Sequence, residues 1–171
     1  MMDAKTAHDF ILPAGLQHLP DRLDTIEARA MLLAIGLQES DFKHRVQLIG
    51  NHRHWWDSLR GPARGWWQFE RAGVTGVLRH RATADHAATV LERLRYPDEV
   101  GMVHKALAHN DPLAAVFARL LLFTVPNRLP RRDEANEAWR QYTWAWRPGK
   151  PHPARWPSRY AEAWRIAAGE S

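Results

Sequence analysis

An acid closes an apolar stretch in "AIGLQESDF", residues 34–42. Met31 to Leu37 has a helical apolar pattern, and Gln38-Glu39-Ser40 follows at its end. The C-terminus of a helix carries partial negative charge, which opposes an ionised carboxylate. Ile35 lies one turn before Glu39 on the same side, so the carboxyl is expected to be partly buried. Both effects favour the protonated form, and a carboxylic acid that stays neutral near pH 7 is what general acid catalysis needs. Taken alone, Glu39 also fits a solvated acid at a helix end, where most glutamates sit.

The second stretch is "GPARGWWQFE", residues 61–70. Gly61, Pro62 and Gly65 make a tight turn, and Gly65 permits close approach of backbone to a ligand. Trp66 and Trp67 offer flat faces for the C–H surfaces of sugars and indole N–H groups for hydroxyls. Gln68 can donate and accept, which suits a polyhydroxylated substrate. The same residues fit a tryptophan-rich corner of the core equally well.

Taken together, the two stretches resemble the lysozyme-like superfamily, most closely the soluble lytic transglycosylases and their phage-borne relatives. In that family a helix ends in Glu-Ser, often with Phe two residues after the Ser. A Gly-x-x-Gly-x-x-Gln segment then starts the next helix. Here the pattern reads Glu39-Ser40-Asp41-Phe42 and then Pro62 to Phe69, with Pro62 where the first Gly is expected and Gly61 just before it. Plant-type chitinases of the same superfamily are similar at an Arg-Gly-x-x-Gln turn. The likeness is specific over residues 28–78. It implies that Glu39 protonates the glycosidic oxygen between N-acetylmuramic acid and N-acetylglucosamine, with Ser40 and Gln68 in the sugar cleft. The family's third motif, Ala-Tyr-Asn on a later helix, is matched best by "RQYTWAW", which places Tyr142 in the site but has no Asn after it. The Pro usual after the Gln is also absent, and Glu70 and Arg71 stand there.

The reaction depends on a second carboxylate. A retaining glycosidase with a carboxylate nucleophile needs one roughly 5–5.5 Å from the acid, and an inverting one needs it at roughly 6.5–9.5 Å. Asp41 is too near in sequence to face the same way. Asp57 and Glu70 are the possible second carboxylates, although on a helix Glu70 would point about 200° away from Gln68. By the resemblance, a lytic transglycosylase needs no second carboxylate, because the substrate's N-acetyl group assists and the muramyl 6-hydroxyl replaces water. That reading is favoured over a muramidase or chitinase-like hydrolase.

These residues need a scaffold. The 171 residues, 45% hydrophobic and 25% charged, suit one domain spanning 1–171. There is no cysteine, which excludes disulfides and thiolate metal sites. The N-terminus has no apolar run behind a basic start, so no signal peptide is expected. The longest apolar run, Leu113 to Val125, is interrupted by Arg119 and too short to span a bilayer. This fits a phage virion or host-lysis protein that reaches the periplasmic cell wall by another route. The net charge of +5 and a pI near 10.1 favour anionic partners, here peptidoglycan glycan strands. No Lys/Arg block marks a nucleic-acid arm, and a monomer is expected. A Trp-rich nucleic-acid module or an inactive lysozyme-like structural protein is the alternative from another class.

The expected fold is all-α, or mainly α with a small β or irregular insertion, with seven or so helices. Residues 1–20 read as an irregular lead-in. A helix capped by Asp24, with Glu27 completing a capping box, runs to about Ser40. "VQLIG" fits a short strand and residues 51–67 a loop. Helices are then expected from Gln68 to His80, after Thr83, and over "DEVGMVHKALAH". Asp111-Pro112 reads as a cap followed by proline, opening an apolar central helix. Asp133 is expected to cap the next helix and Ser158 to begin the last, closed by Gly169. Trp139, Tyr142 and Trp146 share one helix face and fit core better than a binding surface. Trp156 and Trp164 fit core or closure of the last helix. His44, His52 and His54 lack the further ligand a metal site requires, so no metal and no cofactor is expected.

Overall fold

Two helices that are apolar on every side, residues 26–39 and 111–123, organise the core in the computed structural model, which describes residues 2–49 and 59–170. The architecture is mainly α. The first departure from expectation is at the start. α1 (Ala4–Thr6) and α2 (Leu12–Leu16) are joined by a π turn, Ala7–Ile11, so most of the lead-in is helical. Asp3 caps it by accepting from the Thr6 amide at 2.7 Å, and Pro13, which has no N–H to offer the preceding turn, comes just after the π turn. Ala7, Leu12 and Leu16 are buried against the helix of residues 111–123 and its neighbours.

α3 (Ile26–Glu39) begins at Thr25, whose hydroxyl accepts from the Ala28 amide. Asp24 is not the cap. It lies one residue too early and instead holds Arg29 through two 2.7 Å bonds, so the expected capping box does not form. β1 (Val46–Ile49) and β2 (Leu59–Arg64) form an antiparallel hairpin, with Val46 opposite Arg64 and Ile49 opposite Leu59. The second strand arises within the expected loop; Pro62 is tolerated because a two-stranded ribbon has outer edges with no ladder partner. The rest of that loop, residues 51–58, lies outside the described residues.

α4 (Arg71–Arg79), α5 (Ala84–Arg93) and α6 (Val100–Ala106) follow. α4 starts three residues later than expected, because Gln68 has φ 48° and Phe69 exchanges two backbone bonds with Arg64. Thr83 stands at the N-cap position of α5 as expected but makes no capping bond; its hydroxyl donates to the Val77 carbonyl at 2.6 Å. α7 (Asp111–Phe123) is capped by Asn110, which accepts from the Leu113 amide, and Asp111 is its first helical residue, with its carboxylate turned to Arg45. α8 (Ala135–Trp146) is not capped by Asp133. It starts after Glu134, whose carboxylate is held by Arg128 and the Arg131 amide. α9 (Trp156–Ala167) begins two residues before Ser158 with Pro157 in its first turn, and Gly169 closes it at φ +70°. Trp156 and Trp164 are core residues.

One continuous cluster of buried side chains links all these helices, with α3 laid along α9 and α2 along α7. The guanidinium of Arg119, 3% exposed, donates to the Leu23 carbonyl and ties α7 to the turn before α3. Among the described residues, no helix is long and apolar enough to cross a membrane.

The chain reverses sharply after Glu39. Asp41 and Phe42 both take the left-handed conformation, at φ 53° and 51°, which folds the Phe42 ring back over Gly36. A Cβ on Gly36 would lie 2.2 Å from Phe42 Cζ. Gly36→Ala is therefore expected to cost about 1–3 kcal/mol, the usual range for an overpacked core. Urea denaturation checks this, and an unchanged midpoint would contradict the packing described.

Candidate functional site

Glu39 is the last residue of α3; the residue is half-buried and its carboxyl lies largely out of water. That burial pushes its pKa up to about 7. The Tyr142 hydrogen bond opposes the rise and the negative charge of Glu70 adds to it. Tyr142 Oη donates to Glu39 Oε1 at 2.6 Å. The tyrosine is 2% exposed and belongs to the core, as its helix position predicts, yet its hydroxyl reaches the site. Its ring stacks on Trp156 at 5.1 Å and 9°, and Trp156 stacks in turn on Tyr160. Burial and the adjacent Glu39 charge raise the phenol pKa far above its ordinary value, so Tyr142 is a donor at every relevant pH.

Two more bonds fix the same turn of α3. Gln38 Nε2 donates to the His152 carbonyl at 3.1 Å, and the Arg159 guanidinium donates to the Leu37 carbonyl. Residues 37, 38 and 39 are thus each held by the C-terminal part of the chain. Arg159 also lies 3.6 Å from Asp41, which pairs with Lys43.

The second motif lies alongside. Ser40 Oγ donates to the Trp66 carbonyl at 2.7 Å and accepts from the Phe42 amide. Ser40 therefore joins the end of α3 to the Gly65–Gln68 turn. Gly65 has φ +73°, its amide donates to the Arg45 carbonyl, and a Cβ there would lie 2.6 Å from the Leu107 carbonyl oxygen. Only glycine fits, for reasons of packing. Gln68 Nε2 donates to the carbonyls of Gly65 and His44, which leaves Oε1 as the polar atom for a ligand.

The two tryptophans need correction. Trp67 is 0% exposed, its indole N–H donates to the Leu32 carbonyl, and its own carbonyl accepts from Trp146 Nε1. Trp66 is 4% exposed, with the Arg45 guanidinium 4.5 Å above its ring. Neither presents a face to a sugar; both are core.

Of the possible second carboxylates, Glu70 is exposed at the start of α4, close enough for its charge to act on Glu39. Helix geometry does not turn Glu70 away from Gln68 as expected, because Gln68 is left-handed at φ 48° and precedes α4. Asp57, His52 and His54 lie outside the described residues, and His44 is exposed. Among the described residues, no group of three or more His, Asp and Glu side chains is placed to hold a metal ion. Sequence reasoning missed Arg159, Gln38 and Arg45. Their partners are 122, 114 and 66 residues away, and no local pattern announces them.

The arrangement is a carboxyl group that titrates near neutral pH, with one oxygen held by a tyrosine, beside a turn fixed from three sides. No protein-family model, curated protein or solved structure matches the chain.

The raised pKa has a consequence for stability. An unfolded glutamate titrates near 4.5 and the folded one near 7, so in that window the folded state holds the extra proton. The associated stability is full below pH 4.5 and is lost as pH rises through 7, by up to about 3 kcal/mol. Glu39→Gln keeps an acceptor for Tyr142 and removes the charge. Urea denaturation should find the variant more stable than the parent at pH 8 and equal to it at pH 4.5; equality at both would refute the burial of this carboxyl.

Proposed function

We propose that the protein is a peptidoglycan-cleaving glycosidase, a lytic transglycosylase that cuts the N-acetylmuramic acid–N-acetylglucosamine bond, with Glu39 as general acid and then base. The observation that carries this reading is the largely buried Glu39 carboxyl, titrating near 7 and held at Oε1 by Tyr142. A proton donor for a glycosidic oxygen needs a pKa near the working pH.

The steps follow from the two oxygens. Tyr142 occupies Oε1, so the proton sits on Oε2. Glu39 gives it to the glycosidic oxygen as the bond to the muramyl C1 breaks, and the N-acetylglucosamine hydroxyl leaves. The muramyl N-acetyl oxygen bonds to C1 and holds the positive charge as an oxazolinium. Glu39, now a carboxylate with Tyr142 donating to it, takes the proton of the muramyl 6-hydroxyl as that oxygen attacks C1 and displaces the N-acetyl oxygen. A 1,6-anhydro sugar results and Glu39 is protonated again. The Tyr142 bond, short and to a group that becomes charged, stabilises the carboxylate form. Gln68 Oε1 and the rim of the turn would orient the glycan.

A second reading rests on Glu70. Its charge acts on Glu39, and as base for a water molecule it would make the enzyme a muramidase or chitinase-like hydrolase. In either reading the protein acts as a monomer on the periplasmic cell wall, delivered as part of a phage virion or lysis system. An inactive lysozyme-like structural or nucleic-acid-binding module is the outcome if no glycan is cut.

Digestion of purified peptidoglycan followed by mass spectrometry tests the reading. Anhydro-muropeptides are expected, each one water lighter than the reducing-end product of a hydrolase. Glu39→Gln should lower the rate by at least about a thousandfold, in the upper part of the usual range for an acid–base group because it serves in both steps. Activity should fall as pH rises above 7. Tyr142→Phe should move that alkaline limb upward, because it removes a bond that favours the carboxylate. Full clearing by Glu39→Gln would end the proposal.

A further inference from the structure

The connection between α8 and α9 reads "RPGKPHPAR", residues 147–155. It holds Arg147, Lys150, His152 and Arg155 and no acid. All of it except Pro148 is exposed. Among the described residues, the ion pairs involve other cations than Arg147, Lys150 and Arg155. By contrast, Lys43 and Arg45, just past the end of α3, are already paired with Asp41 and Asp111.

Its place in the fold is fixed at three points. At its start, the Trp146 indole donates to the Trp67 carbonyl at 2.8 Å, in the Gly65–Gln68 turn. In its middle, the His152 carbonyl accepts from Gln38, the residue before Glu39. Just beyond its end, Arg159 donates to the Leu37 carbonyl. The strap therefore runs from the turn of the second motif to the last turn of α3, where it meets Gln38, the residue before Glu39. Arg147, left-handed at φ 49°, turns the chain out of α8, and Pro148, Pro151 and Pro153 restrict its backbone. A backbone that is already stiff loses little freedom on binding.

We infer that this strap binds carboxylates carried by the glycan, the stem-peptide carboxylates of peptidoglycan, and so makes the Glu39 site select an acidic glycan over a neutral one. The inference rests on the glycosidase reading of that site. It separates substrates that the acid cannot, since chitin offers the same bond to Glu39 and no carboxylate to the strap. Each exposed ion pair alters affinity by up to about fivefold and is screened by salt.

The test measures binding without turnover. Glu39→Gln protein is sedimented with insoluble peptidoglycan, with the same material after an amidase has removed its stem peptides, and with chitin. A second protein adds Arg147→Gln, Lys150→Gln and Arg155→Gln, its melting curve confirming that it is folded; because these side chains are exposed, other single substitutions among the three serve if the triple variant does not fold. Intact peptidoglycan should bind the first protein at least about fivefold tighter than chitin, with stripped peptidoglycan, which keeps only the lactyl carboxylate freed by the amidase, in between, a preference lost in the strap variant and at about 0.5 M salt. Equal binding of intact and stripped material overturns the inference. So does a strap variant that keeps the preference, or an oligonucleotide that competes as well as peptidoglycan does. The two readings fail separately. Wild-type protein that prefers intact peptidoglycan but never cuts it refutes the glycosidase, and one that cuts stripped and intact material equally well refutes the strap.

Discussion

The Tyr142 hydroxyl meets the Glu39 carboxyl across 103 residues of chain, and the surrounding helices are arranged so that it can. Tyr142 cannot move, because its ring is buried and stacked on Trp156, the first residue of α9. Glu39 cannot move either. The turn of α3 that carries it is held at Leu37 and Gln38 by the C-terminal part of the chain, and α3 itself is buried on all sides. The bond fixes one carboxyl oxygen and leaves the other for a proton. Burial keeps that proton bound near neutral pH, and the tyrosine limits how far the pKa can rise. A donor that opposes burial sets a carboxyl pKa between that of a solvated glutamate and that of a wholly apolar one.

The turn that bears Gln68 is rigid for a related reason. Ser40, Arg45 and Trp146 each satisfy or supply one of its backbone groups. Its tryptophans pack inward, and His104, 6% exposed, meets the Phe69 carbonyl beneath it at 2.9 Å. Burial holds this imidazole's pKa below its ordinary value, which keeps a neutral ring under the site. The polar atoms of the motif thus serve first to shape the loop. Gln68 Oε1, the Glu39 carboxyl and the cationic strap remain to meet a ligand.

How much of this could be read in the sequence depends on the range of the interaction. The mainly helical fold, the all-round apolar α3 and α7, and the acid at the end of α3 follow from apolar spacing over a few turns. Helix starts differ from the local pattern by one residue where an acid has a better partner than the helix end. Asp24 binds Arg29, Asp111 binds Arg45, and Asn110 takes the cap that Asp111 seemed to offer. The tryptophans of "GWWQ" were ambiguous because a flat apolar ring suits a core and a sugar equally; only the packing decides. The spacing of Tyr142 puts it in the core and the family resemblance puts it in the site, but its bond to Glu39 joins segments 103 residues apart and has no signal in the sequence. The clasps at Leu37 and Gln38 join distant segments through backbone carbonyls, which leave no trace in residue type.

The claim on which the rest depends is that Glu39 is a carboxylic acid near neutral pH. Its ionisation can be followed directly by NMR of protein carrying carbon-13 in the glutamate side-chain carboxyls, with Glu39→Gln identifying the resonance. The account predicts one glutamate titrating near pH 7, well apart from the rest. A Glu39 resonance titrating near 4.5, with the exposed glutamates, would contradict it.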